Sequence, residues 1–186
     1  MALGKVLDPT ASNDHDDPSP GPDAGHLVGK RIGFRIDQIW RSWDWIADIW
    51  AEKLREMGAE VSFWRSCGRS GAEGETMNAE LKAWLGTIDM AIVGLANCGS
   101  CTGWTIRDAI ASANSGIATV AVATKNFEEF AHVMAARGGR SGLRVHVLPY
   151  PLNECERADV DRVASDYFNG LLQVIGARQM AQMSAA

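Results

Sequence analysis

This sequence does without several things. No apolar run in its 186 residues approaches the roughly 20 that a membrane span needs, and the N-terminus is acidic and proline-rich where a secretory signal is basic and apolar. A cytoplasmic location and no membrane partner are therefore expected. Basic residues are scattered and outnumbered, 18 against 23 acidic, for a formal net charge of −5. A phosphate-binding face needs concentrated positive charge, which argues against a nucleic-acid partner. Residues 9–25 contain no large apolar side chain, too little to offset the entropy of ordering a chain, and residues 1–28 are expected to form an extended tail or strap. Val6 and Leu7 within it could dock on a neighbouring subunit.

Cysteine is scarce. Four in a cytoplasmic chain read as reactive thiols, ligands or core residues before they read as a disulfide framework. What the chain has instead is tryptophan: seven against two tyrosines, with Trp40, Trp43, Trp45 and Trp50 close together. That group reads as core and subunit interface. With 46% hydrophobic and 22% charged residues, the chain supports one medium domain over residues 29–177, followed by a fraying tail at 178–186.

Apolar runs at 31–36, 60–64, 89–95, 118–123 and 143–148 read as strands, and the amphipathic segments between them as helices. Ser42 opens the first helix, which carries Trp45, Ile46, Ile49, Trp50 and Leu54 on one side and ends at Gly58. A glycine-rich loop over 65–75 holds Cys67. The second helix is expected over 76–85, the third after Thr102, the fourth over 126–137, and a last one capped by Asn153 and ending near Gly176. Strands alternating with helices mean parallel βαβ units with right-handed crossovers. The expected fold is α/β, a three-layer, doubly wound parallel five-stranded sheet with the flavodoxin-like order 2-1-3-4-5.

In such sheets ligands sit beyond the carboxyl ends of the strands, at the switch point between strands one and three. The first strand delivers Asp37, Trp40 and Arg41 to that rim, and the second delivers Arg65 and Cys67. The third delivers Cys98 and Cys101, the fourth Thr124 and Lys125, the fifth Tyr150 and Cys155. All four cysteines follow strand ends. The C-G-S-C stretch at 98–101 stands where a strand buried on both faces hands over to a helix, so free amides and the positive end of the helix dipole favour a thiolate. C-x-x-C in a βα unit is a redox signal, placed here after the third strand rather than the first.

Other readings of the same residues were weighed. Gly94 and Gly99 give G-x-x-x-x-G, but Ser100-Cys101 stands where a phosphate loop needs Lys-Ser/Thr, so nucleotide is not expected. Zinc sites show paired knuckles and only one pair exists, so neither metal nor cofactor is expected. His15, His26, His132 and His146 have no evident cysteine partner, which disfavours a Cys-His dyad. Trp104 reads as a pocket lid or a packing residue, and Arg107-Asp108 as a surface pair or a pair tuning the thiolate. Arg41 and Arg65 are candidate anion clamps.

The stretch V-G-L-A-N-C-G-S-C-T-G-W-T-I-R-D-A resembles the signature of the UGSC family, whose name comes from members with selenocysteine at the first position of U-G-S-C. K-V-L-D-P-T, G-K-R-I-G, T-V-A-V-A-T and L-P-Y-P-L extend the likeness over almost the whole chain. Arg107 and Tyr150 stand where family members commonly have histidine. The resemblance implies a nucleophilic or redox atom at Cys98, with Cys101 as its partner.

Together these features predict a thiol-dependent enzyme in which Cys98 attacks a small, anionic substrate and Cys101 resolves the adduct. Thr102, Trp104, Asp37, Arg41, Arg65, Thr124 and Tyr150 are the expected substrate-binding residues. Racemase-like catalysis by a single cysteine is one alternative. Another is a non-catalytic subunit of a homo-oligomer or of an assembly with a paralogous chain.

Overall fold

The middle of the sheet is buried at every position of two neighbouring strands, and the remaining elements are laid on it. The computed structural model describes residues 15–66 and 71–178. In chain order the elements are β1 (Gly25–His26), β2 (Arg31–Ile36), α1 (Arg41–Glu56), β3 (Glu60–Arg65), α2 (Gly71–Leu85), β4 (Met90–Ala96), α3 (Gly99–Asn114), β5 (Ala118–Thr124), α4 (Glu128–Arg137), β6 (Arg144–Leu148), α5 (Arg157–Val174) and β7 (Ala177–Arg178). β4 and β5 are the fully buried pair. The five-stranded sheet runs β3-β2-β4-β5-β6, every pairing parallel. That is the expected 2-1-3-4-5 once the two-residue β1 is counted.

Alternation along the strands feeds two cores. Phe34, Ile36, Ile92, Val120 and Val122 face α1 and α5, where Trp43, Ile46, Trp50, Leu54 and Phe168 cover them. Ala91, Val93, Ala121 and Ala123 face α2, α3 and α4, covered by Leu81, Leu85, Ile106, Ala109, Ala131 and Ala135. Trp43 and Trp50 are wholly buried and meet edge to face at 5.8 Å. Trp40 and Trp45 are partly buried against the same core. The β4–β5 register shifts between Val93 and Ala96. Gly94 lies in that irregularity, and a Cβ there would sit 2.4 Å from the Trp43 ring, so the close approach requires glycine.

Most boundaries agree within two residues, α1 starting at Arg41 with Trp40 as its cap rather than at Ser42; three helix starts lie further off. α2 begins at Gly71 rather than 76, because Glu73 suits the positive end of a helix and Thr76 Oγ1 bonds back to Ala72 O at 3.0 Å. α3 begins at Gly99, which takes the thiol motif into its first turn. Asn153 does not cap α5: Cys155 N donates to Leu152 O, closing a separate turn, and the cap position is Glu156.

The strap at 16–28 is held by this chain's own body. Arg144 donates to the carbonyls of Pro20, Gly21 and Pro22 and to Asp23 Oδ1, and Arg140 pairs with Asp17. Ala24 and Leu27 enter the core, and β1 pairs with β7. These contacts supply what the strap's own composition lacks. Among the described residues no helix is long and apolar enough to cross a membrane.

His146, in β6, is 5% exposed, and burial pushes its pKa down to about 4 from the ordinary 6.5. The unfolded chain therefore binds a proton that the folded chain refuses between those values. Stability is full above pH 6.5 and falls by about 3 kcal/mol as pH drops to 4. A separate loss follows at lower pH, between 3.8, where Asp89 of the unfolded chain takes up its proton, and about 2, where the hydrogen bond from Arg31 holds the folded group. Denaturant unfolding as a function of pH should show the first fall in the wild type and its absence in His146→Leu. An equal slope in both would contradict the assignment.

Candidate active site

β4 ends at Ala96, Asn97 is buried, and Cys98 has extended backbone angles (φ −156°, ψ 171°) as the N-cap of α3. The N-cap side chain of a helix accepts from the amide of its second or third residue, a place usually taken by a serine, threonine or aspartate oxygen. Here a sulfur takes it: Cys101 N donates to Cys98 Sγ at 3.1 Å. The amides of Gly99 and Ser100 have no intrahelical acceptor, as at any helix start. Cap geometry thus lays the first thiol of C-x-x-C over the second. Cys98 and Cys101 form a disulfide with Cα atoms 5.2 Å apart, within the usual range.

The two sulfurs are not equivalent. Cys98 is half-buried with Ser100 Oγ 3.5 Å away, whereas Cys101 is 6% exposed. Thr102 is fully buried, and its N and Oγ1 both donate to Cys98 O, at 2.9 and 2.6 Å. It holds the cap.

Beneath the cap lies a polar floor. Asp37, just past β2, accepts from Ile39 N and Trp40 N through Oδ1 and from Leu95 N through Oδ2. Thr124, at the end of β5, donates to Asn97 Oδ1 at 2.8 Å. Both are among the expected substrate-binding residues, and the structure places both as buried side chains that tie strand ends together. Arg35, inside β2, donates to Asp108 Oδ2 and to Gly94 O, each at 2.8 Å, and stands 3.7 Å from Asp37. Sequence reasoning placed Asp108 beside Arg107 and passed over Arg35. The available signal was an arginine at an inner position of β2, flanked by Phe34 and Ile36 and well past the exposed Arg31 at the strand's start; a charge among apolar neighbours demands a buried counter-charge.

The remaining candidates are spread along the rim. Arg65 pairs with Asp44 of α1 at 2.7 Å. Arg41 stacks on Trp45 at 4.7 Å, with Arg157 over the same ring. Tyr150 is 44% exposed and meets Phe127 edge on. Trp104 carries the Arg107 guanidinium over its ring at 5.4 Å. Cys155 is a free thiol donating to Pro151 O at 3.1 Å. Cys67 lies outside the described residues. Among those described, no three His, Cys, Asp or Glu side chains are grouped as a metal site requires.

The sequence model described as the UGSC family matches residues 5–177. No curated protein matches the chain. Among solved structures, a flavo di-iron protein from Thermotoga maritima is similar at 11% identity and a TM-score of 0.47 over 79% of this chain, which spans 37% of that one. A sugar ABC transport system substrate-binding protein from Bordetella parapertussis 12822 gives 16% identity and a TM-score of 0.36, over 89% of this chain and 53% of its own. Likenesses this distant carry no argument about chemistry.

Removing the Arg35 guanidinium leaves Asp108 buried without its counter-ion, a change that costs about 3–5 kcal/mol. Arg35→Leu should lose that much in denaturant unfolding, while Arg35→Leu/Asp108→Leu should recover most of it. A double variant as unstable as the sum of the singles would show that the two side chains do not act as a pair.

Proposed function

The chain belongs to the UGSC family, and from that premise we propose that it is a thiol-dependent oxidoreductase in which Cys98 attacks and Cys101 resolves. One observation carries the reading: at a single helix cap, an accessible sulfur with an amide donor lies within bonding distance of a buried one. The cap amides and the helix dipole favour the ionised form of Cys98, which is the nucleophile. Cys101 is screened from solvent and so reacts with Cys98 in preference to anything outside.

With a disulfide R–S–S–R, the Cys98 thiolate attacks one sulfur, a Cys98–S–R bond forms and R–S⁻ leaves. Cys101 then gives up its proton and attacks the Cys98 sulfur, forming the Cys98–Cys101 bond and releasing the second R–S⁻. The substrate gains two electrons and the Cys101 proton, which one of the two leaving R–S⁻ takes up; the protein, counted from the Cys98 thiolate, loses the same. An external thiol reverses the change on the protein and closes the cycle. No large movement is needed, because the cap already holds the two sulfurs together.

Reduced protein incubated with glutathione disulfide, then read by intact mass and peptide mapping, checks this. The wild type should lose two hydrogens and retain no adduct, Cys101→Ser should keep one glutathione on Cys98, and Cys98→Ser should keep none at 101. Adduct at Cys101 in Cys98→Ser, or a wild type that never forms the internal bond, would discard the redox reading. In the second case, a Cys101→Ser variant with undiminished turnover would favour the single-cysteine alternative.

A further inference from the structure

Between α3 and α4 lies a cleft of about 660 Å³. Its wall on α3 includes Ser100, Trp104, Arg107 and Ile110, spaced three or four apart and so forming one stripe down the helix. Met134 and Arg137 of α4 also line it. The indole, Ile110 and Met134 make the lining largely apolar. Both charged side chains on it are arginines, and among the described residues no carboxylate lines it. Arg107 lies over Trp104 at 5.4 Å, a contact that steadies the guanidinium plane and leaves its edge to receive an oxyanion. At the head of the stripe, Ser100 Oγ is 3.5 Å from Cys98 Sγ. Neither cysteine lines the cleft, and Ser100 is the side chain that joins its head to the Cys98 sulfur.

Resting on the assignment of Cys98 as the reacting atom, we propose that this cleft is the substrate site and that it takes a small organic acid with a flat or branched apolar body. The body lies against Trp104, Ile110 and Met134, the carboxylate or sulfonate meets Arg107 and Arg137, and the reacting end lies at Ser100. The helical rise from Ser100 to Arg107 separates the two ends by about 10 Å, the reach of a bicyclic acid. Charge complementarity selects an anion over a neutral compound of the same shape.

The test uses the full chain carrying Cys98→Ser/Cys101→Ser, so that the thiol pair itself cannot react, with naphthalene-2-carboxylate and naphthalene-2-methanol titrated by calorimetry. The acid should bind about tenfold more tightly than the alcohol, as one charge-assisted contact allows. Arg107→Gln and Arg137→Gln should each remove most of that preference without changing alcohol binding, and Met134→Glu should weaken both. Equal binding of acid and alcohol, no binding of either, or a preference that survives both arginine variants would overturn the proposal. So would a dimer that Met134→Glu dissociates, since the cleft would then be an interface between copies. Acid binding with an inert Cys98 would leave the cleft standing and the redox reading fallen. A reactive Cys98 without acid preference would do the reverse.

Discussion

A sulfur atom in the place of a capping oxygen is the constraint on which the rest of this structure turns. At a helix start the N-cap side chain must reach an amide three residues on; with cysteine at both positions, the same reach sets two sulfurs side by side. Cys98 Sγ receives the Cys101 amide, and Thr102 ties its own amide and hydroxyl to the Cys98 carbonyl. The cap therefore does three things with few atoms: it begins α3, supplies a positive environment to one sulfur, and holds a second sulfur ready beneath it. A thiol pair in a flexible loop would have only the last of these, and only transiently.

A cap of this kind is only as well placed as the strand that leads into it. β4 is buried throughout, and its end is tied to both neighbours, through Asp37 to β2 and through Asn97 and Thr124 to β5. Arg35 crosses below from β2 to Asp108 of α3, so that the helix is tied back to the sheet beyond its first turn. Buried charges of this sort are costly and are tolerated because each finds a partner. Polar groups under an otherwise apolar sheet thus serve the placement of the cap.

Much of this was legible in residue order, because the signals involved are local. Short apolar runs mark the strands, and their alternation with helices is enough for the 2-1-3-4-5 order and for the position of C-G-S-C at the rim. The start of α3 was read too late because glycine and serine disfavour helix interiors. That preference loses to a cap that satisfies an amide and a motif packed at the end of a buried strand. Thr102, Asp37 and Thr124 were recognised as belonging to the rim, but nothing in the sequence distinguishes a side chain facing substrate from one tying two strand ends together. The strap shows the opposite limitation. Its aspartates and carbonyls are matched by Arg140 and Arg144, more than 100 positions away, and such pairings leave no local trace. Arg35 and Asp108 are hidden for the same reason, though an arginine between apolar residues inside a strand announces that a partner exists.

The central claim is that the head of α3 keeps the Cys98 sulfur ionised. It is tested most directly by the rate of iodoacetamide alkylation of Cys98 in the reduced Cys101→Ser chain, followed by peptide mass as a function of pH. An unperturbed thiol titrates near about 8.5. The midpoint of the rate profile is expected clearly below that value, moving back toward it when the protein is unfolded in denaturant. A midpoint at or above the unfolded value would contradict it.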